Sequence, residues 1–158
     1  MRNGVQRSQR HPDDRRGRLR TEAAPLIFAD TSFLIAAMDE RDPRHETALA
    51  LLRQAAGRRV VATNLIRGET WTWLRCKRWH REAVEFLDSI GGKDQHIQVA
   101  RVSEDLEDEA LRWLRQHDER EYSFVDATSF AYMRARGIEE ALAFDGDFVA
   151  AGFTELRP

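Results

Sequence analysis

Short apolar runs alternate with longer amphipathic stretches along this chain. Leu26-Ile27-Phe28-Ala29 and Ala141-Leu142-Ala143-Phe144 are continuously apolar and each is closed by a carboxylate, and Val60-Val61-Ala62-Thr63 is a similar run that ends at Asn64. Runs of that length between breakers are buried strands. His96 to Val102 alternates like another strand, and Phe153 to Leu156 fits a fifth. Between them the period lengthens to that of helices. Phe33 to Met38 is a short one, and Pro43 opens a second over about 43–56, with Ala48, Leu51, Leu52 and Ala55 on one face. Asn64 is the expected N-cap of a helix through Trp79. His80 to Ile90, Ser103 to His117 and Ser123 to Arg136 complete the set, the first closed by Gly91-Gly92 and the last by Gly137. Strands separated by helices imply a parallel sheet covered on both faces.

The 158 residues suit one domain with a real core. Phe33 to Met38, the longest unbroken apolar run, is a third of the roughly 18 residues a spanning helix needs, so no membrane role is expected. Cys76 is the only cysteine, which excludes a disulfide framework or a thiolate metal centre and points to a reducing, cytoplasmic setting. The net charge of −2 hides an asymmetry. Residues 1–25 hold seven Arg against three acids, a net of +4, and the other 133 carry −6. With almost no large apolar residue, 1–25 reads as a disordered, Arg-rich extension ahead of a domain over 26–158. It lacks the apolar core of a secretory signal.

Carboxylates carry the chemistry. In open α/β sheets the working groups lie beyond the carboxyl ends of the strands. Asp30 follows the first strand directly and Asp145 the fourth, with Asp147 two residues on. Each has an ordinary alternative: Asp30 caps the helix at Thr31, and Asp145-Gly146 is a turn dipeptide. Glu69 shares a helix face with Leu65 and Trp73, where a carboxylate is costly unless paired or metal-bound. Gly68 beside it suggests close backbone packing. Pairing with Arg67 or rotation to solvent is the competing account of Glu69. Asp126 stands three residues after Ser123, the spacing of a capping box, and a helix N-terminus also favours the ionised form that a metal ligand needs.

Four like charges drawn together repel unless a cation joins them. Oxygen ligands suit Mg²⁺, or Mn²⁺ in its place, and such an ion activates water and polarises phosphoryl oxygens. Trp71, Trp73, Trp79 and Trp113 fit either base stacking or core packing at helical spacing.

The strings Phe28-Ala29-Asp30-Thr31-Ser32-Phe33-Leu34-Ile35, Thr63-Asn64 with Glu69, Asp126-Ala127, and Ala143-Phe144-Asp145-Gly146-Asp147-Phe148 resemble the PIN-domain ribonucleases, in particular the VapC-type toxins of type II toxin–antitoxin systems. The resemblance covers about 26–156. It implies a three-layer α/β fold with a mostly parallel sheet of four to five strands, and an endoribonuclease that hydrolyses RNA phosphodiester bonds with Mg²⁺. By the same resemblance Asp30, Glu69, Asp126 and Asp145 are the metal-binding, catalytic acids, Asp147 is an auxiliary acid and Ser32 orders the site. It also implies an antitoxin protein as partner and a homodimer. Two other classes remain open on the residues alone. One is a housekeeping RNA-processing nuclease on the same fold. The other is a non-enzymatic phosphoacceptor or binding module, which wants a paired acid after Asp30 and a late Lys, whereas Thr31 follows Asp30 and Lys occurs only at 77 and 93.

Overall fold

The order of the strands follows from where buried, β-branched and aromatic segments can pair. In the computed structural model, which describes residues 25–92 and 95–158, five parallel strands form one sheet in the order β3-β2-β1-β4-β5. These are β1 (Leu26–Ala29), β2 (Arg59–Thr63), β3 (Ile97–Ala100), β4 (Glu140–Leu142) and β5 (Thr154–Glu155). Ile27, Phe28 and Ala29 on the central strand have no exposed surface, as expected of a strand covered on both faces.

Among the described residues seven helices connect the strands: α1 (Thr31–Met38), α2 (His45–Gln54), α3 (Asn64–Cys76), α4 (His80–Ser89), α5 (Glu104–Leu114), α6 (Phe124–Arg136) and α7 (Asp147–Ala150). Parallel crossovers are right-handed. The connections β1→β2→β3 run one way across the sheet and β3→β4→β5 the other, so α1–α4 cover one face and α5–α7 the opposite one. The direction reverses between β1 and β4, whose register pairs Ala29 with Leu142. Such a switch point opens a crevice at the carboxyl ends of the strands. Asp30 and Asp145 leave the sheet there.

Several expected boundaries moved, each for a local reason. Asp30 accepts from the Ser32 N–H at 2.8 Å, so α1 begins at Thr31 rather than Phe33. Pro43 lies ahead of α2, which starts at His45. The cap of α3 is Thr63, whose hydroxyl accepts from Ile66 N–H, while Asn64 accepts from Val102 N–H at 2.8 Å and ties α3 to the end of β3. α3 stops at Cys76 instead of running to Trp79, because Arg78 turns left-handed (φ 66°) and α4 sets off anew. Gly137 ends α6 at φ 62°, a conformation that costs a side chain about 1–2 kcal/mol. Gly68 does not pack closely against anything: a Cβ there would meet no atom within 4 Å. The short α7 had no periodicity long enough to announce it. All four tryptophans are partly buried against the core, which accounts for their spacing by packing. No helix among the described residues is long and apolar enough to cross a membrane. The Arg-rich segment 1–25, Pro25 apart, lies outside the described residues.

Candidate active site

The carboxyl end of β1 delivers Asp30 into the crevice almost fully buried, at 2% exposure. Its Oδ2 accepts from the Ser32 N–H at 2.8 Å and from the Ser32 hydroxyl at 2.6 Å. That hydroxyl in turn accepts from Phe144 N–H at 3.0 Å, and Asp30 N–H donates to Leu142 O at 3.0 Å. Ser32 therefore ties the exit of β1 to the exit of β4.

Glu69 reaches the same place from the second turn of α3, where its Oε2 accepts from the Thr31 hydroxyl. It is not paired with Arg67, nor turned to bulk solvent. Asp126 stands at the N-terminus of α6 in a reciprocal capping box: its Oδ2 accepts from Ser123 N–H at 2.7 Å, and its own N–H donates to Ser123 Oγ at 3.0 Å. The capping box expected of Ser123 and Asp126 is present, and Asp126 also lines the cavity. Asp145 is exposed at the end of β4, its Oδ1 accepting from Asp147 N–H at 3.0 Å. All four acids, with Asp147, Ser32, Thr31 and Trp73, line one open cavity of about 410 Å³.

Their charges are felt mutually. Burial, then the charges of Asp145 and Asp126, push the Asp30 carboxyl up to about 8 against the bonds from Ser32. Burial raises Glu69 as well, opposed by the Thr31 bond and reinforced by Asp126 and Asp145. Asp126 is raised by burial and by Asp145 and Asp147, with Ser123 pulling the other way. Each of these groups would release its proton more readily beside a cation.

Among the described residues no three acidic, His or Cys side chains close into a ready-made metal cage. The donor set is all oxygen, with Asp30, Glu69, Asp126 and Asp145 facing one space.

Four supports were not foreseen from the sequence. Thr31 gave no sign beyond standing next to Asp30. Arg120 binds Asp147 Oδ1 through Nε at 2.5 Å and the Asp145 carbonyl through Nη2 at 3.2 Å. Arg44 lines the cavity, its side chain held by Asp42. Glu155, 6% exposed, accepts from Gly146 N–H at 2.9 Å and from Arg157 at 2.5 Å, bracing the turn that presents Asp145 and Asp147. Glu155 and Arg157 are two apart at the end of a strand, a same-face spacing that carried this signal.

Thr31→Val keeps the volume and removes the donor to Glu69. Losing a partner that orients a ligand costs about 10–100-fold. Initial-rate measurements on an RNA substrate are expected to show a fall of that size, with the melting temperature little changed; a wild-type rate would leave the Thr31 bond without functional weight.

Comparison with known proteins agrees with this geometry. The PIN domain family matches residues 27–154. The chain is 51% identical over 137 residues to the 23S rRNA-specific endonuclease VapC20 of Mycobacterium tuberculosis, covering 84% of this chain and 99% of the relative. The crystal structure of that sarcin–ricin-loop-cleaving toxin superposes with a TM-score of 0.76 at 49% identity, over 84% of this chain and 99% of the other. A toxin–antitoxin complex from Klebsiella pneumoniae shares the fold, with a TM-score of 0.59 at 17% identity, over 84% and 97% of the two chains. The chain belongs to the PIN-domain family, and within it to the VapC-type endoribonuclease toxins.

Proposed function

We propose that this protein is a Mg²⁺-dependent endoribonuclease whose target is a structured loop of ribosomal RNA, restrained in the cytoplasm by a protein antitoxin. The observation that carries this reading is the convergence of Asp30, Glu69, Asp126 and Asp145, separated by 39, 57 and 19 residues, on one cavity. The 51% identity to an enzyme specific for 23S rRNA supports the choice of substrate class.

The chain's own residues supply placement and charge. Asp30, Glu69, Asp126 and Asp145 would hold the cation, with Asp147 as the auxiliary acid and Mn²⁺ able to replace Mg²⁺. Bound there, the ion activates water as nucleophile and stabilises the charge that develops on the phosphoryl and leaving oxygens. Ser32 and Thr31 keep Asp30 and Glu69 in orientation through the bonds given above. Release of the 3′-oxygen leaves 5′-phosphate and 3′-hydroxyl ends. Without its cation an acidic cavity repels a polyanion, so binding of metal and RNA is expected to be coupled. A homodimer, with the antitoxin laid on its helical surface, completes the assembly we infer.

Asp126→Asn keeps the capping geometry and removes a charge. Induced expression of the wild type should arrest growth and create new RNA 5′ ends that map to one ribosomal loop, and the variant should produce neither. Cleavage at the wild-type rate by the variant would remove Asp126 from the mechanism; fragments scattered over many RNAs would remove the ribosomal target.

A further inference from the structure

Arg44 is the one basic residue among those lining the acidic cavity, and it is held in an unusual way for a residue in that place. It stands just ahead of α2, on the segment that returns from α1 to the carboxyl edge of the sheet. An arginine kept only to offset the quartet would pair with Asp30 or Asp145. This one is bound instead by Asp42, which lies outside the quartet. Asp42 Oδ1 accepts from the Arg44 backbone N–H at 2.8 Å and from Nε at 2.9 Å, and Oδ2 accepts from Nη2 at 2.8 Å. The guanidinium also lies over the Phe144 ring, 5.3 Å from its centroid, and Phe144 immediately precedes Asp145.

One edge of the guanidinium is therefore spent on Asp42 and one face on Phe144. Nη1 has no hydrogen-bond partner among the described residues, and the side chain remains 42% exposed. A planar fork fixed on one edge and open on the other is preorganised for an anion, because the entropy of ordering a long side chain has been met in advance. Phosphate oxygens match that fork in geometry and charge. The quartet with its cation is placed to take the scissile phosphate, which leaves the backbone beside it to the rim.

We propose that Arg44, oriented by Asp42 and Phe144, is the phosphate-binding residue that holds the RNA backbone next to the scissile linkage. The inference rests on the reading of the site as an RNA-cleaving centre. Arg44 acts in binding and Asp42 is its positioning residue.

The test measures binding apart from cleavage. The full chain carrying Asp126→Asn, with and without Arg44→Gln, is titrated with a fluorescein-labelled sarcin–ricin stem–loop RNA at fixed Mg²⁺, between about 50 and 200 mM KCl. Losing one phosphate contact should weaken binding about tenfold and reduce the slope of log affinity against log salt by about 0.7–0.9. Arg44→Lys should keep most of the slope and lose part of the affinity, since it retains the charge without the fork. Equal slopes and affinities for parent and Arg44→Gln overturn the proposal. So does a weaker affinity at unchanged slope with a lowered melting temperature, which is the signature of a structural lock on the α1–α2 segment. Should the otherwise unaltered protein fail to cleave this RNA while every variant binds it alike, the RNA-cleaving reading falls too; cleavage with an unchanged slope sinks Arg44 alone.

Discussion

Asp30→Asn is expected to raise the melting temperature of the protein in EDTA at pH 8 while lowering RNA cleavage by about two to three orders of magnitude, the loss typical when a preorganised charged group leaves a reaction centre. Both effects have one source. The Asp30 carboxyl is buried beside Asp145 and Asp126 and titrates at about 8, against 3.8 for a free aspartate. The folded chain consequently keeps a proton that the unfolded chain releases near pH 4. Stability is then lost as pH rises from about 4 towards 8, because the native state binds more protons than the unfolded one over that window. Asparagine is neutral throughout and still offers an oxygen to the Ser32 N–H and hydroxyl. The gain at pH 8 should be on the order of 2–4 kcal/mol, discounted from the full shift for relaxation of the site, at about 4 °C per kcal/mol for a domain of this size. Calorimetry in EDTA at pH 5 and pH 8 should show the wild type losing stability between the two and the variant losing much less. Excess Mg²⁺ should restore the wild type, since a cation takes the place of the proton. An equal drop in melting temperature for Asp30→Asn at both pH values would show that its charge is not under strain.

Glu155→Ala is the second large effect. Its side chain is 1% exposed and joins two groups, the Gly146 N–H and the Arg157 guanidinium, which also donates to the Ala143 carbonyl at 3.2 Å. Truncation leaves the N–H of Gly146, itself held left-handed at φ 81°, without a partner. Losing both interactions costs about 2–4 kcal/mol, since Arg157 is half exposed and recovers water. Gly146 lies between Asp145 and Asp147, so the loosened turn should lower kcat more than it raises KM. Glu155→Gln keeps an acceptor for Gly146 and should recover most of the stability. Urea melts alongside single-turnover cleavage separate the two consequences. Full activity in a destabilised Glu155→Ala protein would mean that the brace serves the fold alone.

The sequence carried some of this openly. Short, largely apolar runs marked β1, β2 and β4, alternation marked β3, and the placement of Asp30 and Asp145 directly after two of the runs marked the crevice. Ser123 and Asp126 announced their capping box three residues apart. Other features had no local signature. Gly68 looked like a packing glycine and faces open space, because helix propensity reports a cost without saying what offsets it. Asn64 is a good cap by type, yet the preceding threonine caps and Asn64 binds Val102 across the sheet. α7 is a single turn, too short for any period to show.

Alternation of strand and helix, with the right-handedness of crossovers, was enough by itself to set the parallel sheet and the edge where its acids emerge. Which partner each acid would find was decided only when distant segments met. Thr31 with Glu69 lies 38 residues apart, Ser32 with Phe144 112, and Arg120 with Asp147 27. Hydrogen bonds are directional and short-ranged, so a pairing of that kind depends on placement to within an ångström, and no pattern along the chain encodes it.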